Sequence, residues 1–165
     1  MKPADLLELL REFYRDKSAV RQRHVAGAKF VGDYDFNNTY QYVINREDVQ
    51  LSWVRDAIAD LGGTPEDAPE PRLAPPGKKA EAQASVLRED RDQAQAFVER
   101  WRDRVERITN ARVKIMLSVI LGETLESKRF FDQALAGRSD LLGRRADGAG
   151  TEGTVLATRW VGTQT

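Results

Sequence analysis

Five of the six prolines in this 165-residue chain fall between residues 62 and 77, in GGTPEDAPEPRLAPPG. Proline lacks a backbone N–H and its ring clashes with the preceding turn, so neither a helix nor a central strand continues through this stretch. The chain is therefore expected to fold as two halves joined by one long exposed connection. Structureless connections of this length are uncommon inside a compact domain, and geometry offers a reason for this one. A helix of ~24 residues is roughly 36 Å long, and ~16 extended residues reach roughly 50 Å. The connection can carry the chain back along a whole helix, so that the helices on either side of it run parallel.

Both halves read as helical. Pro3 and Asp5 suit a helix start. Leu6, Leu10, Phe13 or Tyr14, Lys17, Val20, His24 and Val31 then follow a helical stripe, giving a first helix from about residue 4 to 30. Gly32-Asp33 and the cluster Asp35 to Asn38 read as a connection. A second helix is expected from near Asn38 or Thr39, with Tyr40, Val43 or Ile44, Glu47, Gln50 or Leu51, Val54, Ala57 or Ile58 and Leu61 on its stripe, ending at Gly62-Gly63. The third begins near Lys79 and carries Gln83, Val86 or Leu87, Asp90, Ala94, Phe97, Trp101, Val105 and Ile108. Thr109-Asn110 suits a tight turn, with Asn110 available to cap the next helix. The fourth helix carries Met116, Val119 or Ile120, Glu123, Glu126 or Ser127, Phe130 and Ala134 and stops at Gly137. The expected fold is all-α: a four-helix bundle over residues 1–137 with a long crossover between the second and third helices. Residues 138–165 read as a flexible linker rich in glycine and charge, followed by a short apolar C-terminal tail with Val155, Leu156, Trp160 and Val161. Such a tail folds back on its own bundle or a sister subunit, or docks on a protein partner.

Composition excludes several function classes. The 26 basic and 26 acidic side chains cancel, which argues against non-specific binding to nucleic acid or to an anionic membrane. With no cysteine, disulfides, thiolate sites and cysteine nucleophiles are impossible, and one histidine leaves no zinc site of the usual ligands. The opening MKPADLLELLREF is wrong for a signal peptide, and no apolar run approaches a membrane span. A cytoplasmic, soluble protein is expected. The chain has no Gly-x-Ser-x-Gly, Walker loop or dinucleotide fingerprint.

The anomaly lies inside the stripes. Glu47, Asp90 and Glu123 each sit where an apolar residue is due, 43 and 33 residues apart, at similar heights measured from the turns. Gln50 and Glu126 follow Glu47 and Glu123 by three residues. Carboxylates gathered in an apolar interior must take up protons, find cations or bind metal. Lys17, Arg21 and Lys114 are candidate cation partners. Hard oxygen ligands on facing helices suit iron or manganese. Tyr14, Trp53 and Trp101 read as packing residues, and His24 as a core or boundary histidine; Tyr14 and His24 form a second tier of site candidates. Gly122, inside the fourth helix, ordinarily signals close packing or nothing in particular, and less often a close approach near a site.

These positions resemble the di-iron pattern of the ferritin-like superfamily, which includes bacterioferritins and rubrerythrins. There, four helices each point a carboxylate inward, and Glu-x-x-His occurs on the second and fourth. The resemblance covers roughly residues 4 to 137. Its best local part is Glu47-x-x-Gln50 followed by Leu61-Gly62-Gly63. It implies a ferritin-like bundle and a metal site of Glu47, Gln50, Asp90, Glu123 and Glu126, taking iron or manganese and, if active, supporting metal-dependent oxidation. It also implies a homodimer or larger homo-oligomer. The site is incomplete: Gln50 and Glu126 stand where histidines belong, Asp90 replaces a glutamate, and the matching place on the first helix falls near Tyr14. The alternative expectation is a non-catalytic helical interaction module acting through a dimer face and the C-terminal tail.

Overall fold

The computed structural model describes residues 1–138 and 141. The linker-and-tail reading of residues 138–165 falls, beyond Arg138 and Leu141, outside them. The described residues form four helices, α1 (Pro3–Ala28), α2 (Tyr34–Asp60), α3 (Ala80–Glu106) and α4 (Ala111–Leu135). No strand occurs among the described residues, and no helix among them is long and apolar enough to cross a membrane.

Local chemistry explains the boundaries. Pro3 sits in the first turn of α1, where its missing N–H has no intrahelical partner to lose. The Asn110 side chain caps α4 by accepting from the Val113 N–H at 3.1 Å. The start of α2 differs from expectation: the helix begins at Tyr34, and the polar cluster Asp35 to Asn38 lies inside its first turns. Asp33 is the cap, accepting from the backbone N–H groups of Asp35 and Phe36. Asn37, which in isolation favours a turn, donates its side-chain amide to the carbonyls of Ala28 and Val31, each at 3.2 Å. That bond anchors the α1–α2 corner and releases Asn37 from competing with its own helix. At the other end of α2, Gly62 takes φ +76°, a conformation that costs glycine little.

Cross-helix pairs fix the directions. Arg21 reaches Asp48 and Arg55 reaches Tyr14, so α1 and α2 are antiparallel. Arg104 pairs with Glu12 and Arg23 with Asp90, so α1 is antiparallel to α3 as well. Tyr42 meets Phe130 and Lys114 meets Glu106, making α2–α4 and α3–α4 antiparallel too. Residues 66–70 of the proline-rich connection lie along α1. Tyr14 Oη donates to Asp67 at 2.6 Å, the Ala68 N–H donates to Ser18 Oγ at 3.0 Å, and Glu70 pairs with Lys29.

The interior divides by height. One apolar cluster gathers Leu10, Phe13, Val54, Ile58, Trp101 and Leu117, with Phe13 edge-on to both Phe97 and Trp101. A second, at the opposite end, gathers Val31, Tyr40, Val86, Leu87 and Phe131. On every helix the residues between these clusters include a buried polar group: Lys17 and His24 on α1, Glu47 and Gln50 on α2, Asp90 on α3, Thr124 on α4. The bundle thus has two greasy ends and a polar waist.

Candidate functional site

Glu47 is the centre of the waist. The mid-helix position of α2 buries it against α1, where Lys17 and His24 lie two turns apart on one face. Lys17 Nζ donates to Glu47 Oε1 at 2.8 Å, and His24 Nδ1 lies 2.9 Å from Glu47 Oε2. Lys17 and His24 are each 1% exposed and Glu47 is 2% exposed. A second proton of Lys17 goes to Thr124 Oγ1 at 3.3 Å, and Thr124 passes its own proton to the Ile120 carbonyl at 2.8 Å. The ammonium also stands 5.5 Å from the centre of the Phe97 ring. One buried cation therefore links α1 to both α2 and α4.

The titration behaviour follows from this geometry. Burial alone pushes the Glu47 carboxyl up, but the charges of and hydrogen bonds from His24 and Lys17 outweigh burial and hold it down at about 2. For His24, burial disfavours the charged ring, and the Glu47 carboxylate more than offsets this, so its value is raised above the ordinary one.

Asp90 is fully buried but turns to a different set of partners. Arg23 Nε donates to its Oδ1 at 2.7 Å, the same guanidinium reaching on to Glu89, while Tyr40 Oη donates to its Oδ2. Burial, then the Asp90 carboxylate, drive the Tyr40 phenol well above its usual range. Gly27 makes this approach of α1 to α3 feasible: a Cβ there would lie 2.9 Å from Val86 Cγ1 and 3.2 Å from Asp90 Oδ2.

Glu123 forms a third unit at the α2–α4 seam, accepting from Arg46 and from the Gln50 side-chain amide. It is half-exposed, whereas Gln50 is buried. Glu126 is on the outer surface, its side chain 63% exposed and 3.7 Å from Arg129. Tyr14 is buried away from the Glu47 unit, bonded to Asp67 and Arg55.

The structure thus brings Glu47 together with His24, and Gln50 with Glu123, while Asp90, Glu126 and Tyr14 each lie elsewhere. Among the described residues no group of three or more histidine, aspartate or glutamate side chains is placed to hold a metal ion. As arranged, the donors do not fit a dication. Glu47 already accepts from an ammonium and an imidazole, Asp90 from a guanidinium and a phenol, and Glu123 from a guanidinium and an amide. The cations Arg23 and Arg46 escape the stripe pattern because a guanidinium reaches inward from a flanking position. Lys17 and Tyr40, by contrast, lie on the stripes themselves. Gly122 closes no contact among the described residues: a Cβ there would meet nothing of theirs within 4 Å.

Among the described residues, two buried side-chain atoms have no partner, His24 Nε2 and Gln50 Oε1. The first abuts aromatic rings, with Phe131 at 5.4 Å and Tyr40 at 6.0 Å between centroids. Compared with known proteins, the chain matches no protein-family model, no curated protein and no solved structure.

Proposed function

We propose that this chain is a non-catalytic helical interaction module, built as a ferritin-like bundle with a crossover between its second and third helices. In this reading, side-chain cations stand where a ferritin-type centre holds metal. The observation that carries it is the Lys17 ammonium, buried against Glu47 and Thr124 in the waist. A carboxylate that bridges a lysine and a histidine already has its charge balanced, and a dication entering beside it would meet a fixed positive charge a few ångströms away. The waist then specifies how α1, α2 and α4 align, and the module's work falls to its outer surface. Anaerobic titration with iron(II) and manganese(II), on protein purified without a chelating tag, tests this. No stoichiometric binding is expected; binding that is abolished by Glu47→Ala would contradict the proposal.

A second reading keeps the metal site of Glu47, Gln50, Asp90, Glu123 and Glu126, taking iron or manganese. What favours it is the pair His24 Nε2 and Gln50 Oε1, buried on facing helices and unpartnered among the described residues, the ring nitrogen offering a lone pair once His24 gives up its proton. It requires Lys17 to withdraw from Glu47 on loading, and the same titration decides between the two.

A further inference from the structure

The apolar side chains left in solvent are not spread evenly. Among the described residues, the large exposed ones within helices all belong to α2 and α4, and none to α1 or α3. Tyr42 and Val49 on α2 and Ile115 and Val119 on α4 are 40–65% exposed and, with half-buried Trp53 and Met116, border the α2–α4 seam. The α1–α3 side is the opposite, laced by Arg104–Glu12, Arg100–Asp16 and Arg23–Glu89. A charged face beside an apolar one of this extent marks an interaction surface.

We propose that the α2–α4 face is where a second copy of this chain docks, related by a two-fold axis parallel to the bundle. The inference rests on the interaction-module reading and names its partner. Such an axis preserves height and exchanges sides, so α2 of one copy lies against α4 of the other. Heights within one chain are fixed by contact: Arg46 bonds Glu123, one turn before Glu126, and Asp56, Asp60 and Arg112 line one hollow with Trp53 and Met116. The two-fold therefore sets Arg46 against Glu126 of the second copy, and Asp56 and Asp60 against its Arg112. Between these two matched charge pairs, Val49 meets Val119 and the bare backbone at Gly122, where an added methyl would find nothing within 4 Å among the described residues. Opposite charges meet at both ends and apolar groups in the middle, which is the self-complementarity an isologous contact needs. From Tyr42 to Asp60 the face rises ~27 Å, and two helices side by side span roughly 20 Å. That footprint, about 540 Å² in projection, suits an interface at the small end of the specific range.

Sedimentation equilibrium of the full chain tests the proposal. The expected species has twice the chain mass, and Val49→Lys/Val119→Lys converts it to a monomer with unchanged helicity and a melting temperature that no longer depends on protein concentration, since both positions are solvated within one chain. Because the sequence has no cysteine, orientation can be read by oxidation. A mixture of Val49→Cys and Val119→Cys proteins should cross-link between the two variants in preference to either with itself. A monomeric wild type, a dimer that survives the lysine substitutions, or cross-links confined to like variants overturns the proposal. So does a monomer whose Val49→Cys thiol is shielded from reagent, which would assign the face to the chain's own C-terminal segment. Metal content measured on the same samples keeps the two readings apart. A dimer carrying stoichiometric iron upholds the interface and contradicts the metal-free waist, whereas a metal-free monomer does the reverse.

Discussion

The Lys17 ammonium and the Glu47 carboxylate meet at 2.8 Å with both side chains almost wholly withdrawn from water. A pair this buried is costly to assemble, because desolvating each ion opposes their attraction. What it gives in return is register. Lys17 on α1 also reaches Thr124 on α4, so a slip of either partner helix by one turn strands a charge in the interior.

The pair makes stability depend on pH from both sides. Glu47 has its carboxyl lowered from 4.5 to about 2, so its contribution is present above pH 4.5 and is lost as pH falls toward 2. Its full size is on the order of 3 kcal/mol, shared with the cations that cause it. His24 is raised above 6.5, so its contribution is present below pH 6.5 and is lost as pH rises through the folded value. Urea unfolding across pH should therefore show maximal stability between 4.5 and 6.5 from these groups. Glu47→Gln should flatten the acid limb, and an acid limb of unchanged slope in that variant would count against the assignment.

Asp90 should depend on Tyr40 for a measurable share of its stabilisation. Tyr40→Phe removes the phenolic donor while Arg23 stays in place, and a hydrogen bond to a charged group contributes about 1.5–3 kcal/mol. A loss of that size in chemical denaturation is expected. Arg23→Ala should cost more, because it leaves the buried carboxylate without a countercharge.

Two glycines should respond oppositely to alanine. At Gly27 the new methyl would crowd Val86 Cγ1 at 2.9 Å, and a β-branched side chain in a helix has little freedom to turn aside. Gly27→Ala should destabilise by about 1–3 kcal/mol despite the gain in helix propensity. At Gly122 the methyl meets open space, so Gly122→Ala should stabilise the single bundle by ~0.5–1 kcal/mol. Thermal melts of the two variants check the contrast.

These residues also show how far the sequence can be read. The stripes locate all four helices because buried faces repeat every 3.6 residues whatever the partner. They expose Glu47 as out of place, and they carry Lys17 and His24 on the opposing face. Pairing is what they do not supply. Tyr14 and Lys17 differ by less than a turn, yet one faces Asp67 of the connection and the other faces Glu47. Both also reach α2, Tyr14 through Arg55 and Lys17 through Glu47, and which partner each takes depends on helix rotation, a tertiary quantity. The start of α2 eludes the sequence for a similar reason. Asp35 to Asn38 look like a turn until Asn37 is seen bonding the end of α1.

The central claim is that Lys17 and Glu47 form one interior unit, and a double-mutant cycle in urea measures it directly. Glu47→Leu should cost about 3–5 kcal/mol, because it strands the Lys17 ammonium, and Lys17→Met somewhat less, because Glu47 keeps the His24 ring as a partner. The double variant, with both charges gone and similar volume retained, should lie within about 1 kcal/mol of wild type or above it. That outcome gives a coupling of several kcal/mol. Costs that simply add would contradict the account and return Glu47 to the role of a ligand awaiting its cation.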